Sequence, residues 1–161
     1  MARALIVACG CSGRELGASL AERGWQVRGT SRSVDGVAAI DAAGLEGALA
    51  DPDRPGTVLD LVGDVTAVIW LLGSARGDPE QLEAIHGPRL EHLLARLVDT
   101  PVRAFAYEEV GTVAEETLAM GRAAVVRAAE TWRIPVAILE RARDRPSWAS
   151  DAAERITASP G

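Results

Sequence analysis

The sequence predicts a doubly wound parallel sheet of about six strands, layered α/β/α. Three observations carry that prediction. Short apolar runs alternate with helical patterns along most of the chain, which calls for a parallel sheet covered on both faces. Two of the runs, Arg3 to Ala8 and "VTAVIWLLG", are largely apolar, as strands buried on both faces are. The first of them passes directly into a glycine turn, "ACGCSG" at 8–13, that opens a helix.

Taken in order, Arg3 to Ala8 is the first strand. Gly13 to Arg23 follows as a helix, with Leu16 and Leu20 at helical spacing and Gly24 as its stop. "WQVRGT" is the second strand, and Ser33 to Ala43 a short helix ending at Gly44. "LEGAL" is a brief third strand, and "DPDRPG" beyond it a turn rich in proline and acid. Thr57 to Val62 makes a short helix. "VTAVIWLLG", the most apolar run, is the natural central strand. Asp78 to Val98 reads as one long amphipathic helix, buried through Leu82, Ile85, Leu90, Leu93, Leu94 and Leu97, with Asp78 and Pro79 as N-cap and first turn. "VRAFAY", a helix from Ala114 to Trp132 and "PVAIL" complete the alternation. The stretch 146–161 is a polar tail with at most one short helix, around Ala149 to Ile156, and Trp148 in it is a possible dimer contact.

Bulk properties exclude several classes. A chain of 161 residues has room for one domain with a real core. A net charge of −6 argues against a nucleic-acid or anionic-membrane surface, which would need a basic face. Aromatics are 4%, so Ala, Val, Leu and Ile must build most of the core. All 17 basic residues are Arg, so no lysine is available for catalysis. No apolar run reaches transmembrane length, and the first strand runs into a glycine turn rather than a cleavage site. Cys9 and Cys11 are too close in sequence for an ordinary disulfide staple. The expectation is a cytoplasmic protein.

The turn "ACGCSG" matches the dinucleotide fingerprint G-x-G-x-x-G with Ala8 at the first position, then Gly10 and Gly13. The first residue makes the tight turn, the second lets the backbone approach a pyrophosphate, and the third lets helix and strand pack closely. Ala8 fits there if its φ is negative. Backbone N–H groups of the helix start, Cys11 and Ser12 onward, then face the phosphates with the helix dipole behind them. This is the Rossmann-like arrangement, and residues 1–145 are expected to form one such NAD(P)-binding domain. An NAD site usually carries Asp or Glu at the end of the second strand. Here the strand ends "VRGTSRS", offering Thr30, Ser31 and Arg32 and no acid, which favours the 2′-phosphate of NADP over NAD. Arg28 reads as a solvated surface charge.

These segments, together with "AVIWLLG" and "GRAAVVRAAETWRIPVAILER", resemble the atypical and extended short-chain dehydrogenase/reductases, particularly the NmrA-like NAD(P)-binding group. The resemblance spans most of 3–141. It implies that Ala48 and Leu49, after the third strand, and Leu72, Gly73 and Ser74, after the fourth, line the adenine and ribose. Members of that group often carry Asp where Ala48 stands. Active members carry Y-x-x-x-K, but the sole tyrosine, Tyr107, has Gly111 four residues on. An alternative alignment puts Leu118 and Arg122 in those places. Arg122 could hold a ribose, while its guanidinium is too basic to relay protons. Relatives in the group also continue into a substrate-binding region beyond the sixth strand.

Other constellations carry less. Glu108, Glu109 and Glu140 stand at the carboxyl ends of strands, where ligands of open α/β sheets bind, and are the weak candidates for a general base. Cys11, near a helix N-terminus, is a candidate redox-sensitive thiol, and Cys9 reads as buried and inert. "CGC" lacks zinc-site spacing, and His86 and His92 read as surface or packing histidines, so no metal is expected. Ala123, Ala124 and Ala128 permit close helix approach in a homodimer, or cover the chain's own sheet. Three functions follow: an NADP-preferring sensor or regulatory binding protein without short-chain dehydrogenase catalysis; a small reductase, isomerase or dehydratase using one of the three glutamates; or a scaffold with a vestigial nucleotide site that pairs with another protein.

Overall fold

The computed structural model describes residues 2–158. Six strands form one all-parallel sheet: β1 (Arg3–Val7), β2 (Gln26–Ser31), β3 (Glu46–Leu49), β4 (Ala67–Trp70), β5 (Ala104–Glu108) and β6 (Val136–Leu139). Their spatial order is β3-β2-β1-β4-β5-β6. The chain winds outward from β1 in one direction, then returns to β4 and winds in the other. That reversal opens a crevice above the carboxyl ends of β1 and β4.

Strand alternation sorts side chains to two cores, as a repeat of two residues requires. Leu5, Val7, Val68, Trp70, Phe105 and Tyr107 face α3 (Pro55–Leu59), α4 (Pro79–His86), α5 (Pro88–Leu97) and α6 (Glu115–Trp132). Ala4, Ile6, Ala67, Ile69, Ala104 and Ala106 face α1 (Cys11–Glu22), α2 (Val34–Ala42) and α7 (Trp148–Thr157). The alanines of β5 leave room on that face for Trp148, which is 3% exposed. β4 is buried throughout, as the central strand should be.

Two elements differ from the sequence expectation. The span from Asp78 to Val98 is two helices, divided at Gly87 and Pro88. Pro88 has no N–H to give to the preceding turn and its ring crowds that turn, so it opens a new helix instead. Gly87 bends at φ −121°, ψ −104°, where a Cβ would press on the Glu83 carbonyl. The short helix after β3 starts earlier than Thr57, because Pro55 takes its first turn.

The polar stretch after β6 carries α7, which buries Trp148, Ala152, Ala153 and Ile156 against α1, β5 and β6. Residues 159–161 of the expected tail lie outside the described residues. Ala124 and Ala128 of α6 are buried in the chain's own core, while Ala123 is exposed.

Candidate functional site

The glycine turn is built from β1, β2 and the start of α1. Thr30, 1% exposed, is its brace: its hydroxyl accepts from the Ala8 N–H at 3.1 Å, and its carbonyl accepts from the Cys9 N–H at 2.8 Å. Ala8 sits at φ +66°, in the left-handed region, which corrects the expectation of a negative φ there. The tight turn demands that conformation of whichever residue occupies it, and alanine accepts the strain.

The two remaining glycines have different reasons. At Gly13 a Cβ would come within 3.1 Å of Cys9 Sγ and 3.4 Å of Ile6 Cγ2, so this glycine serves helix–strand packing. At Gly10 a Cβ would meet nothing within 4 Å, and φ is −83°. Nothing in the protein requires glycine at position 10. Open space above that backbone is what an approaching ligand would need. Gly10 is also the N-cap of α1, whose first turn has neither a capping side chain nor an acidic residue. The early amides, Cys11, Ser12 and Gly13 among them, are therefore available to an anion.

A cavity of about 370 Å³ opens beside this turn. Its walls are Ala8 to Gly10, Thr30 to Arg32, Gly36 of α2, Ala50 to Asp53, Leu72, Ala75, Arg76, Arg14 and the α4 residues Gln81, Leu82 and Ile85. Of the residues singled out from the sequence, Gly10, Thr30, Ser31, Arg32 and Leu72 meet here. Cys11 is exposed at the rim of the turn, and Ser12 follows it in α1. Ala48 and Leu49 belong to β3 itself, paired with Thr30 and Ser31, and the wall is formed instead by Ala50 and Asp51 just beyond them. An acid, Asp51, thus lines the cavity three residues after Ala48.

Sequence reasoning missed Arg14 and Arg76. With Arg32 they bring three guanidinium groups to the cavity, and none has a carboxylate within 4.0 Å among the described residues. The signal for Arg14 was available: it immediately follows the third glycine on α1. Of the acids facing them, Asp53 pairs with Arg89 at 3.2 Å and Asp51 accepts the Asp53 N–H at 2.9 Å. Arg28 is not a solvated charge. It bonds Glu46 at 2.6 Å, Asp64 at 2.8 Å and the Leu61 carbonyl at 2.7 Å, well away from the cavity. The hydrogen bond it donates to Asp64 above all raises its already high pKa. Burial pushes the Cys9 thiol up to about 11, against the opposing charge of Arg14, so Cys9 is a packing residue.

Beyond β4 and β5 the arrangement is closed. Glu108 is fully buried and forked to Arg143, with Nε to Oε2 at 2.8 Å and Nη2 to Oε1 at 2.7 Å. Its Oε1 also accepts the Gly73 N–H at 2.9 Å. Arg143 continues to the Leu71 carbonyl at 3.2 Å. The Gly73 carbonyl accepts from Val113 N–H at 3.0 Å, and Ser74 Oγ from Thr112 N–H at 3.3 Å. Glu109 is held by Arg122 at 3.1 Å, so neither residue meets the cavity. Glu140 alone of the three glutamates is exposed and without an ion pair among the described residues.

Tyr107 and His86 are core residues. The Tyr107 hydroxyl lies 2.6 Å from His86 Nδ1 and reaches the Leu118 carbonyl at 3.2 Å, while His86 Nε2–H donates to the Leu72 carbonyl at 3.0 Å. Gly121 makes room for this hydroxyl, since a Cβ there would collide with it. Burial raises the Tyr107 pKa and lowers that of His86. Among the described residues no group of three or more His, Cys, Asp or Glu could hold a metal, and no helix is long and apolar enough to cross a membrane.

No protein-family model matches the chain. The chain is 32% identical to Protein YeeZ of Escherichia coli strain K12 over 127 residues, which is 73% of this chain and 46% of that protein. It therefore spans about half the length of this relative. Among solved structures, a short-chain dehydrogenase/reductase superfamily protein from Agrobacterium tumefaciens with bound NAD matches at TM-score 0.70 and 19% identity, over 86% of this chain and 48% of that one. A Citrobacter sp. triphenylmethane reductase complexed with NADP(H) matches at TM-score 0.65 and 20% identity, over 88% and 49%. UDP-glucuronic acid 4-epimerase from Bacillus cereus with NAD matches at 0.65 and 14%, over 86% and 55%. The shared feature is the fold.

Proposed function

We propose that the chain is an NADP-preferring nucleotide-binding protein of the short-chain dehydrogenase/reductase type. In this reading it senses the nucleotide or is regulated by it, and does not carry out the hydride chemistry of that group. The observation that carries the reading is Gly10, where a Cβ would meet nothing within 4 Å, beside a cavity lined by three arginines that have no ion pair among the described residues. The nucleotides in the solved structures of the same fold support it. Arg32, lining the cavity with Thr30 and Ser31, supports a role in receiving a 2′-phosphate, and Arg14 and Arg76 add positive charge. Tyr107, buried in the core, has no route to a bound substrate. The enzyme reading narrows to Glu140, the one exposed and unpaired glutamate of its three candidates.

The test is a calorimetric titration with NADPH and NADH of the wild type and two variants. Gly10→Asp keeps a good N-cap residue, so its melting temperature should hold while bulk and charge at the phosphates weaken both ligands by about tenfold or more. Arg32→Ala should weaken NADPH by about tenfold and leave NADH unchanged, the loss of a charge-assisted contact. Binding of neither nucleotide at millimolar concentration would sink the proposal. A measurable reductase or isomerase activity lost in Glu140→Gln would favour the enzyme.

A further inference from the structure

A dinucleotide on a doubly wound sheet straddles the reversal point. One half lies over the β1, β2 and β3 ends, and the other over the β4, β5 and β6 ends. In this chain the two halves have opposite characters. The first holds the 370 Å³ cavity, the open space above Gly10, and Arg14 and Arg32, joined by Arg76 from the segment after β4, all three without an ion pair among the described residues. In the second, the groups at the β4 and β5 ends that would greet a ligand are bonded within the protein, and only Glu140 of the acids singled out there, beyond β6, is exposed and unpaired among the described residues.

The closure has two components. One is loop against loop: the Gly73 carbonyl takes the Val113 N–H at 3.0 Å, and Ser74 Oγ takes the Thr112 N–H at 3.3 Å. These loops touch so closely that a Cβ on Gly73 would overlap the Val110 carbonyl, and one on Gly111 the Gly73 carbonyl. The other is ionic. Glu108, with no exposed surface, joins the Gly73 N–H at 2.9 Å to Arg143, which itself reaches the Leu71 carbonyl at 3.2 Å. A ligand entering between β4 and β5 would have to break a forked pair in which the carboxylate is fully buried and the guanidinium half-buried, and leaving that buried carboxylate unpaired is strongly unfavourable.

We infer that the site takes an adenosine phosphate bearing a 2′-phosphate, and that the second half of a dinucleotide stays outside, excluded by the Glu108–Arg143 latch. The inference rests on the nucleotide-binding reading above and narrows its ligand class. The nicotinamide ring then contributes no contact, and the protein reads the adenosine end of the cofactor irrespective of its redox state.

The experiment compares adenosine 2′,5′-bisphosphate, NADPH, NADP⁺ and nicotinamide mononucleotide by calorimetry on the full chain. The emission of NADPH is followed in the same titration. The expected result is that the first three bind within about threefold of one another, that the mononucleotide does not bind, and that the reduced-nicotinamide emission stays as in water. NADPH binding more than about tenfold tighter than the bisphosphate, or a blue-shifted and brightened nicotinamide emission, would overturn the latch while leaving nucleotide binding intact. Failure of all four to bind would overturn nucleotide binding itself, and the latch proposal with it.

Discussion

The two sides of the crevice show how one sheet can hold a site open and closed at once. On the side of β1 to β3, a Cβ on Gly10 would meet nothing within 4 Å, Arg14, Arg32 and Arg76 line the cavity with no ion pair among the described residues, and the glycine turn is braced by Thr30. On the β4–β6 side, Glu108 bonds both Arg143 and the Gly73 N–H, and Ser74 accepts from the Thr112 N–H. The difference teaches that a polar residue at a strand's carboxyl end is not by itself a site residue. What matters is whether its hydrogen-bonding capacity is already occupied.

The strongest way to break the closed side is through α7. Arg143 lies on the segment that leads into this helix, and Trp148 anchors it, 3% exposed between α1 and the alanines of β5. Trp148→Ala should cost about 3–5 kcal/mol, the usual price of truncating a large buried aromatic. Urea unfolding measures it. A loss under about 1 kcal/mol would mean that α7 is not docked on this face and that the latch has no fixed end.

The contrast also explains what the sequence could reveal. The central strands were legible because a parallel strand buried on both faces is an apolar run, and "VTAVIWLLG" and "VRAFAY" could be little else; β2 and β3, partly exposed and mixed in composition, were legible from their place in the alternation. The break at Gly87 and Pro88 was legible in principle, since a proline inside a helical pattern ends or restarts the helix. It was masked by leucines that keep helical spacing across the join. The open side of the site was half legible: Gly10, Thr30, Ser31, Arg32 and Leu72 meet at the cavity, and Asp51 stands there instead of Ala48 because Ala48 and Leu49 lie within β3, which ends at Leu49 as "LEGAL" predicts, and not beyond it. The closed side was not legible at all. Glu108 and Arg143 are 35 residues apart, and nothing local announces that a polar tail segment will supply the counter-ion for a strand end. Gly10 and Gly13 look alike in sequence and differ only in what a Cβ would touch. A substitution at Gly13 would therefore confound binding with packing against Cys9 and Ile6.

A smaller effect probes the wall between the two sides. His86 bonds the Leu72 carbonyl, and Leu72 lines the cavity. Burial lowers the His86 pKa in the folded protein below its usual 6.5, so the unfolded chain takes up the proton first as pH falls. The contribution of neutral His86 is complete above about pH 6.5 and is lost progressively below it, by up to about 1.4 kcal/mol per pH unit, until the folded pKa is reached. Chemical denaturation at pH 7.5, 6.5 and 5.5 should show stability falling toward acid. The slope should flatten in His86→Gln, which has no proton to gain. An identical slope in the variant would assign the acid sensitivity to other groups.

The smallest effect sharpens the open side. Ala8 holds φ +66° at the tight turn, a conformation that costs an alanine roughly 1–2 kcal/mol and a glycine almost nothing. Ala8→Gly relieves that strain. It also gives the unfolded chain more freedom, worth about 0.4–1 kcal/mol in the opposite direction, and removes a methyl that packs on the core. The net should be a gain of about 0.5 kcal/mol, read as a higher denaturant midpoint at unchanged slope. Nucleotide affinity should stay level, because the Thr30 brace fixes the Ala8 and Cys9 backbone whichever residue stands at position 8. Lower stability in the variant would show that the Ala8 methyl packs more tightly than its partial exposure suggests. Raised affinity with raised stability would show that the strain is borne by the binding surface itself, and that the open side is less preorganised than its geometry implies.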